Sequence, residues 1–544
     1  MLVRDAVVET LVERGIDTVF GIPGTQSLPL NEAVEGRDDV RYVTARHETA
    51  VPHMAWGYAE ASGRPAATLV IPGPGDLNAT NGLKNAYNDG TPLVHLSVET
   101  DPELRGGDAI HETPPETYDP LVKENVTVET PAAAAATLDE AVVTALTPPT
   151  GPVRVGIPRS FLAAEAEAAG GAGGAEPGDA PVPDEGRIAR AVDLLAEADR
   201  PVVVAGGGVR LAGANDALRA VAERLDAPVV TSPRAKGEFP EDHPLAAGVL
   251  SVGTSRNLRD LLDGADAALA VGTDLDAVAT GTFDLPLPDR LVHVTLDPAD
   301  LGQGYEPAVG IVADAAATLD ALDERLPARM DPDARDRVER VREADADLMA
   351  DVLAVDEPPL TSASAEAAVA EALPEDAVVS VDAGGFRIWS MHVLDVTRPR
   401  SYVDTGSWAT MGTGLPAAIG AKVAEPDRPS VALTGDGGLL MCVHELHTVA
   451  DEGIPVVVVA LNNDDYATIS WRASAEYAFD DGAFGWPETS ASLVNLAESL
   501  GVRGVFAETP AEVREATAAA LERDGPTLIE VPVDPAEPQA KPLD

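Results

Sequence analysis

Residues 431–463 decide the fold, and they read VALTGDGGLLMCVHELHTVADEGIPVVVVALNN. Two short apolar runs, Val431–Thr434 and Val456–Leu461, have strand character. The first runs into GDGG at 435–438, and the second ends in the asparagine pair at 462–463. A strand, a helical stretch and a second strand in this order predict a βαβ unit with parallel strands.

The residues that end these two strands suit a phosphate group and a metal ion. Glycines after a strand leave backbone N–H groups free to cradle phosphate, and the next helix adds its positive end. Asp436 and Asn463 offer hard oxygen donors of the kind that Mg²⁺ prefers. Since open α/β sheets bind ligands at the carboxyl ends of strands, both groups are expected at one edge. Each turn alone is more often structural, whereas the pair favours a binding site.

The same alternation of strands and helices runs along the whole chain and predicts three consecutive parallel-sheet α/β domains. The other predicted strands are Thr18–Gly21, Ala66–Ile71, Leu93–Val98, Val202–Ala205, Val229–Thr231, Ala267–Val271, Leu291–Thr295, Val378–Val381 and Leu528–Val531. The domains are expected at 1–165, 187–330 and 359–544. A linker rich in Gly, Ala and Pro is expected at 166–186, and a helical linker at 331–358.

Composition limits the class of protein. The chain has 544 residues, 45% of them hydrophobic, so each domain can bury its own core. The formal net charge of −53 repels phosphate backbones and argues against a nucleic-acid binder. Only five residues are lysine, and the carboxylates are scattered along the chain. This pattern is typical of a salt-adapted (halophilic) protein, whose self-repulsion is screened within roughly 3 Å at ~1 M salt.

Cys442 is the single cysteine, which excludes an intrachain disulfide framework and a cysteine-rich metal site. No apolar run is long enough to predict a membrane span. The start of the chain, MLVRDAVVETLVERG, shows acidic residues and helical spacing rather than the pattern of a signal peptide. We therefore expect a cytoplasmic protein.

The first domain carries a second group of motifs: RHETA at 46–50, GYAEASGRP at 57–65 and GPGDLNATNGLKNAYNDGTPL at 73–93. With the GDGG and NN elements, these motifs resemble the thiamine-diphosphate enzymes of the acetolactate synthase, pyruvate oxidase and benzoylformate decarboxylase group. The resemblance extends to GPVRVGIP at 151–158, APVVTSPRAKGEFPEDHPL at 227–245 and ATMGTGLPAAIGA at 409–421. It covers nearly the whole chain in the right order.

The resemblance implies a pyrimidine-binding domain, a middle domain and a diphosphate-binding domain. Glu48 matches the glutamate that hydrogen-bonds the aminopyrimidine ring of thiamine diphosphate and so promotes catalysis. Without the resemblance, a glutamate that opens a helix is usually a capping residue or pairs with the helix dipole. Asp436 and Asn463 match the Mg²⁺ ligands, and the backbone carbonyl of Asp465 matches a third ligand.

The resemblance also implies the rest of the cofactor site. Gly437 and Gly438 match backbone donors to the diphosphate, and Met411 matches the apolar residue wedged under the cofactor. Ala409 matches the position whose carbonyl holds the 4′-amino group. The remaining expected cofactor contacts are Gly73, Gly435 and the loop at 383–387.

In this family the glutamate comes from one subunit, and the glycine loop and the asparagine loop come from its partner. We therefore expect a homodimer or homotetramer whose active site lies across the subunit interface. The expected activity is decarboxylation of a small 2-oxo acid followed by carboligation, as in acetolactate synthase. Two alternatives stay open: a simple decarboxylase that releases an aldehyde, and a non-catalytic subunit with the same fold. Intact Glu48, Asp436 and Asn463 count against the non-catalytic alternative.

Three residues bear on the substrate. His111 stands in Ala-Ile-His-Glu, where acetolactate synthases tend to carry Ala-Phe-Gln-Glu. A histidine there resembles decarboxylases that use one for proton transfer, so His111 is a candidate catalytic residue and otherwise a solvent-facing histidine. Trp471 and Arg472 replace an Arg-Gln-Trp-Gln element, and they either face the substrate or simply pack.

The middle domain bears on flavin. Relatives that bind FAD carry a stretch like Arg-Phe-Asp-Asp-Arg after a strand that ends in glycine. Here Gly272 is followed by TDLDAV, so both arginines are missing and the acidic residues would repel a pyrophosphate. The triple glycine at 206–208 lacks the spacing of a dinucleotide fingerprint. The sequence therefore argues against FAD binding and, with it, against a flavin-dependent oxidase.

Overall fold

The computed structural model describes residues 1–107, 109–166, 175–251, 253–329 and 331–538. These residues form three six-stranded sheets, and neighbouring strands in each sheet run parallel. Three consecutive parallel-sheet α/β domains are thereby confirmed. Each sheet lies within one predicted domain span, although the domain limits themselves stay predictions. Residues 167–174 of the predicted linker lie outside the described residues.

The N-terminal domain holds the first sheet, in the order β2-β1-β3-β4-β6-β5. Its strands are β1 (Thr18–Gly21), β2 (Arg41–Thr44), β3 (Ala67–Val70), β4 (Val94–Glu99), β5 (Glu124–Thr127) and β6 (Val153–Pro158). Its helices are α1 (Val3–Glu13), α2 (Leu28–Glu35), α3 (Ala50–Ser62), α4 (Pro74–Asn88) and α5 (Ala134–Leu146). The apolar residues of α1 face a core of their own with α5 and the sheet.

The middle domain holds the second sheet, in the order β12-β11-β10-β7-β8-β9. Its strands are β7 (Pro201–Ala205), β8 (Val229–Thr231), β9 (Ala246–Val249), β10 (Ala267–Val271), β11 (Leu291–Thr295) and β12 (Val309–Val312). Its helices are α6 (Glu185–Ala196), α7 (Gly207–Ala212), α8 (Asn215–Leu225), α9 (Arg256–Asp263) and α10 (Ala315–Asp323). Helix α6 begins inside the predicted linker because Asp184 caps it by accepting the Arg187 N–H at 2.9 Å.

The C-terminal domain follows a long helix, α11 (Ala334–Leu353), and holds the third sheet in the order β14-β13-β15-β16-β18-β17. Its strands are β13 (Val378–Val381), β14 (Tyr402–Val403), β15 (Ser430–Gly435), β16 (Val456–Asn462), β17 (Arg503–Phe506) and β18 (Thr527–Pro532). Its helices are α12 (Ser362–Ala370), α13 (Phe386–Val393), α14 (Gly414–Ala424), α15 (Asp436–Cys442), α16 (Glu445–Asp451), α17 (Ala467–Glu476), α18 (Leu493–Ser499) and α19 (Pro510–Leu521). The first and third sheets share one strand order, so these two domains have related folds.

Helices α3 and α14 join the N-terminal and C-terminal domains. A Cβ on Gly57 would overlap the backbone of Ala417, and one on Gly420 would overlap the backbone of Met54. Only glycine allows the two helices to approach this closely. Residues of both domains therefore share one hydrophobic core.

The order of the third sheet places its ligand site. Strand β13 lies between β14 and β15. The connection after β13 leads to β14 on one side, and the connection after β15 leads to β16 on the other, which leaves a crevice between β13 and β15. Such a switch point is where open α/β sheets bind ligands. Asp382 follows β13 and Asp436 follows β15, so two carboxylates flank this crevice.

Candidate active site

Asp436 is a buried carboxylate with a free oxygen. Its side chain stands at the start of α15, and Oδ1 accepts the Gly437 N–H at 2.9 Å. Oδ2 is buried and has no hydrogen-bond partner among the described residues. Burial, with a smaller contribution from the nearby Asp464 charge, raises the pKa of Asp436 to about 7. A buried carboxylate without a cation is costly, and a metal ion would remove that cost.

Asn463 and Asp465 follow β16 in a tight turn beside this carboxylate. Asn463 Oδ1 accepts the Asp465 N–H at 3.1 Å, and Asp464 between them has a left-handed φ of 52°. The Asp465 carboxylate accepts the Ser470 hydroxyl at 2.6 Å, which leaves its backbone carbonyl as the predicted metal ligand. No cluster of three His, Cys, Asp or Glu side chains in the described ranges could hold a metal. A magnesium ion here would therefore need amide, carbonyl and phosphate oxygens besides Asp436, and this donor set fits Mg²⁺.

Gly437 and Gly438 form a cradle that a side chain would fill. A Cβ on Gly437 would lie 2.6 Å from Tyr466 Cε1 and 3.3 Å from Met411 Cε. A Cβ on Gly438 would lie 2.6 Å from Asp382 Oδ2. By contrast, the nearest atom to a Cβ on Gly435 would be 3.4 Å away. The structure thus brings Met411 against the GDGG turn, two elements that the family resemblance assigns to one cofactor site.

The segment 405–411, here called the cofactor loop, carries Ala409 and Met411. Ala409 has a left-handed φ of 51°, which is uncommon for a residue with a side chain. The loop is held from the N-terminal domain, because Asp89 at the end of α4 accepts the N–H and the hydroxyl of Ser407 at 2.9 and 2.8 Å. The loop is also fixed at Trp408, whose Nε1 donates to Asn81 at 2.8 Å.

Glu48 lies between β2 and α3 and is half-buried. Its Oε2 accepts a hydrogen bond from Asn78 Nδ2 at 3.1 Å, and Oε1 would lie 3.3 Å from a Cβ on Gly75. The backbone carbonyl of Asn78 in turn accepts a hydrogen bond from the Thr49 hydroxyl at 2.9 Å. These contacts fix Oε2 of Glu48 and place Oε1 near Gly75.

Gly73 and His111 come together at the same end of α4, whose first residue is Pro74. Gly73 has a left-handed φ of 62°, and a Cβ there would lie 2.5 Å from the His111 carbonyl oxygen. His111 itself has a φ of 66°, and its Nδ1 lies 3.2 Å from Gln26 Nε2. Both residues line a cavity of about 200 Å³ whose other walls include Tyr118 and Arg154. His111 is therefore a partly buried residue at a cavity and not a free surface histidine.

Glu48 and Asp436 do not meet within one chain. Among the described residues, the side-chain partner of Glu48 is Asn78 and that of Asp436 is the Gly437 N–H. Large apolar side chains lie exposed around the Asp436 end of the site, namely Trp408, Leu440, Met441, Tyr466 and Ile469. An exposed apolar surface of this kind marks an interaction site.

Three family models match the chain in succession, and each overlaps one of the three sheets. The thiamine pyrophosphate enzyme N-terminal TPP binding domain matches residues 1–119, and the central domain of these enzymes matches residues 188–322. Their C-terminal TPP binding domain matches residues 382–531. The chain belongs to the thiamine pyrophosphate enzyme family. The candidate site residues described above lie within the ranges matched by the two TPP-binding models, and their roles toward a cofactor stay predictions.

Similar members of the family include both synthases and decarboxylases. A probable acetolactate synthase large subunit of Methanocaldococcus jannaschii is 32% identical over 98% of this chain and 92% of its own length. A probable 2-ketoarginine decarboxylase of Pseudomonas aeruginosa is 36% identical over 84% of this chain and 81% of its own length. The solved structure of a thiamine diphosphate-dependent 4-hydroxybenzoylformate decarboxylase from Rhodococcus jostii RHA1 has a TM-score of 0.84 and 30% identity. The match covers 98% of this chain and 99% of that one.

The middle domain of this family member packs its glycine turns against each other. A Cβ on Gly208 would lie 2.7 Å from the Gly272 Cα, so the triple glycine serves close packing. Asp274 follows Gly272, and burial together with the Asp276 and Asp300 charges raises its pKa to about 6. These features agree with a structural turn, and the absence of FAD stays a prediction.

Trp471 and Arg472 lie on α17. Arg472 is exposed, and its Nε donates to Glu476 at 3.0 Å one turn along the same helix. Trp471 is half-buried on that helix. A substrate role for Trp471 and Arg472 stays a prediction.

Asp382 is a site residue that the sequence reasoning did not single out. It is fully buried and accepts the Gly412 N–H at 3.0 Å, the Thr413 N–H at 3.2 Å and the Thr434 hydroxyl at 3.0 Å. It thereby ties the end of the cofactor loop to β15, while burial raises its pKa. The available signal was an aspartate directly after a buried strand, as at Asp436.

None of the helices in the described part of the chain is long and apolar enough to cross a membrane.

Proposed function

We propose that the protein uses thiamine diphosphate and Mg²⁺ to decarboxylate a small 2-oxo acid and to join the remaining acyl unit to a second carbonyl compound. The observation that carries the proposal is the free buried oxygen of Asp436 beside the GDGG cradle. The synthase name of relatives that match nearly the full chain supports the ligation step.

In this proposal, Mg²⁺ is held by Asp436, Asn463 and the carbonyl of Asp465, together with diphosphate oxygens. The N–H groups of Gly437 and Gly438 bind the diphosphate, because no side chain fits at either position. Gly435 adds room at the turn. Met411, which already lies near the cradle, packs under the cofactor, and the left-handed Ala409 presents its carbonyl.

Thiamine diphosphate, when bound, supplies an electron sink for the loss of CO₂. The proposed role of Glu48 is to hold a proton on its carboxyl group, which makes a hydrogen bond with the pyrimidine ring. Asn78 fixes Oε2 by donating a hydrogen bond, so the other oxygen is oriented toward the ring. Exclusion of water from Glu48 would strengthen this hydrogen bond.

A second copy of the chain completes the site. Because Glu48 and Asp436 make separate contacts within one chain, each cofactor is expected between the N-terminal domain of one protomer and the C-terminal domain of its partner. The exposed apolar side chains around Asp436 suit such an interface. The assembly is thus a homodimer or homotetramer, and the monomer is inactive.

His111 favours a second candidate function, the simple decarboxylase. Its ring lies at the cavity beside Gly73, one of the expected cofactor contacts, with Gln26 against Nδ1. Nε2 is then free to deliver a proton to the acyl unit in place of ligation to a second carbonyl compound. In that case the product is an aldehyde.

The test is product analysis in ~2 M KCl with thiamine diphosphate and Mg²⁺ across a panel of 2-oxo acids. Acetolactate from pyruvate supports the synthase proposal. An aldehyde product that the wild-type protein forms and the His111→Gln variant does not form supports the decarboxylase. Absence of CO₂ release from every acid, with cofactor bound, contradicts both.

A further inference from the structure

The segment that carries Glu48 is held by a carboxylate from the other domain. Residues 45–49 connect β2 to α3, which begins at Ala50. They form no helix or strand, so no regular backbone hydrogen bonding fixes them. Glu445, the first residue of α16 in the C-terminal domain, is fully buried against this segment.

Glu445 accepts the backbone hydrogen bonds of the two residues that precede Glu48. The His47 N–H donates to Oε1 at 2.9 Å, and the Arg46 N–H lies 3.1 Å from Oε1 and 3.2 Å from Oε2. Within α16, the Thr448 hydroxyl donates to Oε2 at 2.6 Å. The carboxyl group thus bridges α16 and the chain immediately before Glu48.

We infer that Glu445 is a positioning residue for Glu48: it accepts the Arg46 and His47 N–H groups and so sets where the catalytic carboxyl points. The inference rests on the proposed function, since Glu48 acts only on a bound cofactor. A displacement of about 1 Å at a catalytic group can cost about 100-fold in rate, and a loop without regular structure needs such a fixed acceptor.

The acceptor atom, and not the charge, is what the geometry uses. Oε1 accepts both N–H groups, while Oε2 accepts the Thr448 hydroxyl and lies 3.2 Å from the Arg46 N–H. The groups that face the carboxyl from both domains also include the Arg46 guanidinium and His444, whose Nε2 lies 3.4 Å from Oε1. A glutamine places a carbonyl oxygen at Oε1 and an amide that donates to Thr448. An aspartate keeps the charge but withdraws the acceptor by one methylene.

The experiment compares E445D with E445Q in the assembled holoenzyme. The first readout is hydrogen–deuterium exchange at C2 of bound thiamine diphosphate, which reports on Glu48 without turnover. The second is the exchange protection of the amides at 44–49 in cofactor-free protein. E445D is expected to lose that protection and to slow C2 exchange and kcat by about 10- to 100-fold, with KM within about threefold. E445Q is expected to stay within about threefold of wild type in all of these.

Glu452 provides a matched control. It lies just beyond α16, and its Oε1 accepts the Thr44 N–H at 2.9 Å, across the same domain boundary but four residues before Glu48. E452D shortens an equivalent contact, yet C2 exchange and kcat are expected to stay within about twofold of wild type.

Two results would overturn the inference: wild-type C2 exchange and amide protection in E445D, or an E445Q loss as large as that of E445D. The latter would assign the effect to charge. If wild-type protein binds no thiamine diphosphate, the proposed function fails, whereas the amide protection of the cofactor-free variants still decides the inference.

Discussion

Replacement of Asp436 by asparagine should stabilise the protein without metal and abolish its response to Mg²⁺ and thiamine diphosphate. The substitution keeps the shape of the side chain and the acceptor for the Gly437 N–H. It removes the charge that is buried at Oδ2 without a partner among the described residues. The variant should thus be more stable than wild type without metal but gain less stability from the cofactors. A residue with only a structural role would not show this combination.

The magnitude follows from the pKa of Asp436. Burial raises this pKa from 3.8 to about 7, so the folded state holds the proton more tightly than the unfolded state. The penalty is absent below the unfolded pKa, grows as the pH rises from 3.8 to about 7, and is fully present at pH 8. At ~1.4 kcal/mol per pKa unit it reaches ~4 kcal/mol as an upper bound. An unpaired asparagine amide gives back ~1–3 kcal/mol, so the net gain is ~1–3 kcal/mol.

Thermal unfolding at pH 8 in ~2 M KCl measures both effects. With EDTA, Asp436→Asn is expected to melt a few degrees above wild type, at roughly 2–4 °C per kcal/mol. With Mg²⁺ and thiamine diphosphate at ~100 times Kd, wild type should gain ~2.7 kcal/mol and the variant almost nothing. A variant that melts below wild type in EDTA, or gains as much from the cofactors, would refute the reasoning.

Four further predictions concern chemistry, shape, pH and salt. Glu48→Gln should lower kcat by at least ~100-fold while the calorimetric Kd for thiamine diphosphate changes little, because the proton-holding group is lost and the cradle is not; wild-type turnover would remove Glu48 from the mechanism. Gly437→Ala should weaken thiamine diphosphate binding at least ~10-fold in the same titration, since its Cβ would lie 2.6 Å from Tyr466; unchanged affinity would place the diphosphate elsewhere. Burial raises the pKa of Glu537 from 4.5 to about 7, so stability falls as the pH rises between these values; because Glu537 also accepts the Ser362 N–H and hydroxyl at 2.6 Å, and an amide keeps one acceptor of the two, Glu537→Gln should exceed wild type by up to ~2 kcal/mol in urea unfolding at pH 8 and lose that advantage near pH 4, and a pH-independent difference between the two proteins would contradict this. Because the net charge is −53, the melting temperature should rise steeply between ~0.1 and ~2 M KCl, and a flat profile would contradict salt adaptation.

The sequence predicted every central strand except β6 and missed the edges of all three sheets. The fully buried strands β10 and β11 appear in the structure with the predicted bounds, because a strand buried on both faces is a continuous apolar run. No edge strand was predicted, namely β2, β5, β9, β12, β14 and β17. Edge strands such as β2 and β17 are partly exposed, so their composition does not separate them from loops.

The candidate site was predictable where one short motif carries it. GDGG and the asparagine pair each end a buried strand, so their residues could be placed from the sequence and the family resemblance. Asp382 carried only one signal, its position directly after a buried strand, and Glu445 carried none, because their hydrogen-bond partners lie in distant parts of the chain, at Gly412 and Arg46. The hydrogen bonds that such a carboxylate accepts leave no local pattern of their own. The proposed arrangement of Glu48 against Asp436 across two copies of the chain rests on the family resemblance and stays a prediction.

The central claim is that this family member decarboxylates a 2-oxo acid with thiamine diphosphate and Mg²⁺. The most direct measurement is CO₂ release by purified protein in ~2 M KCl across a panel of 2-oxo acids, with each cofactor omitted in turn. The account predicts CO₂ from at least one acid, full dependence on both cofactors, and loss of the signal in Asp436→Asn. Turnover that persists without thiamine diphosphate, or no CO₂ from any acid by protein shown to bind both cofactors, would contradict it.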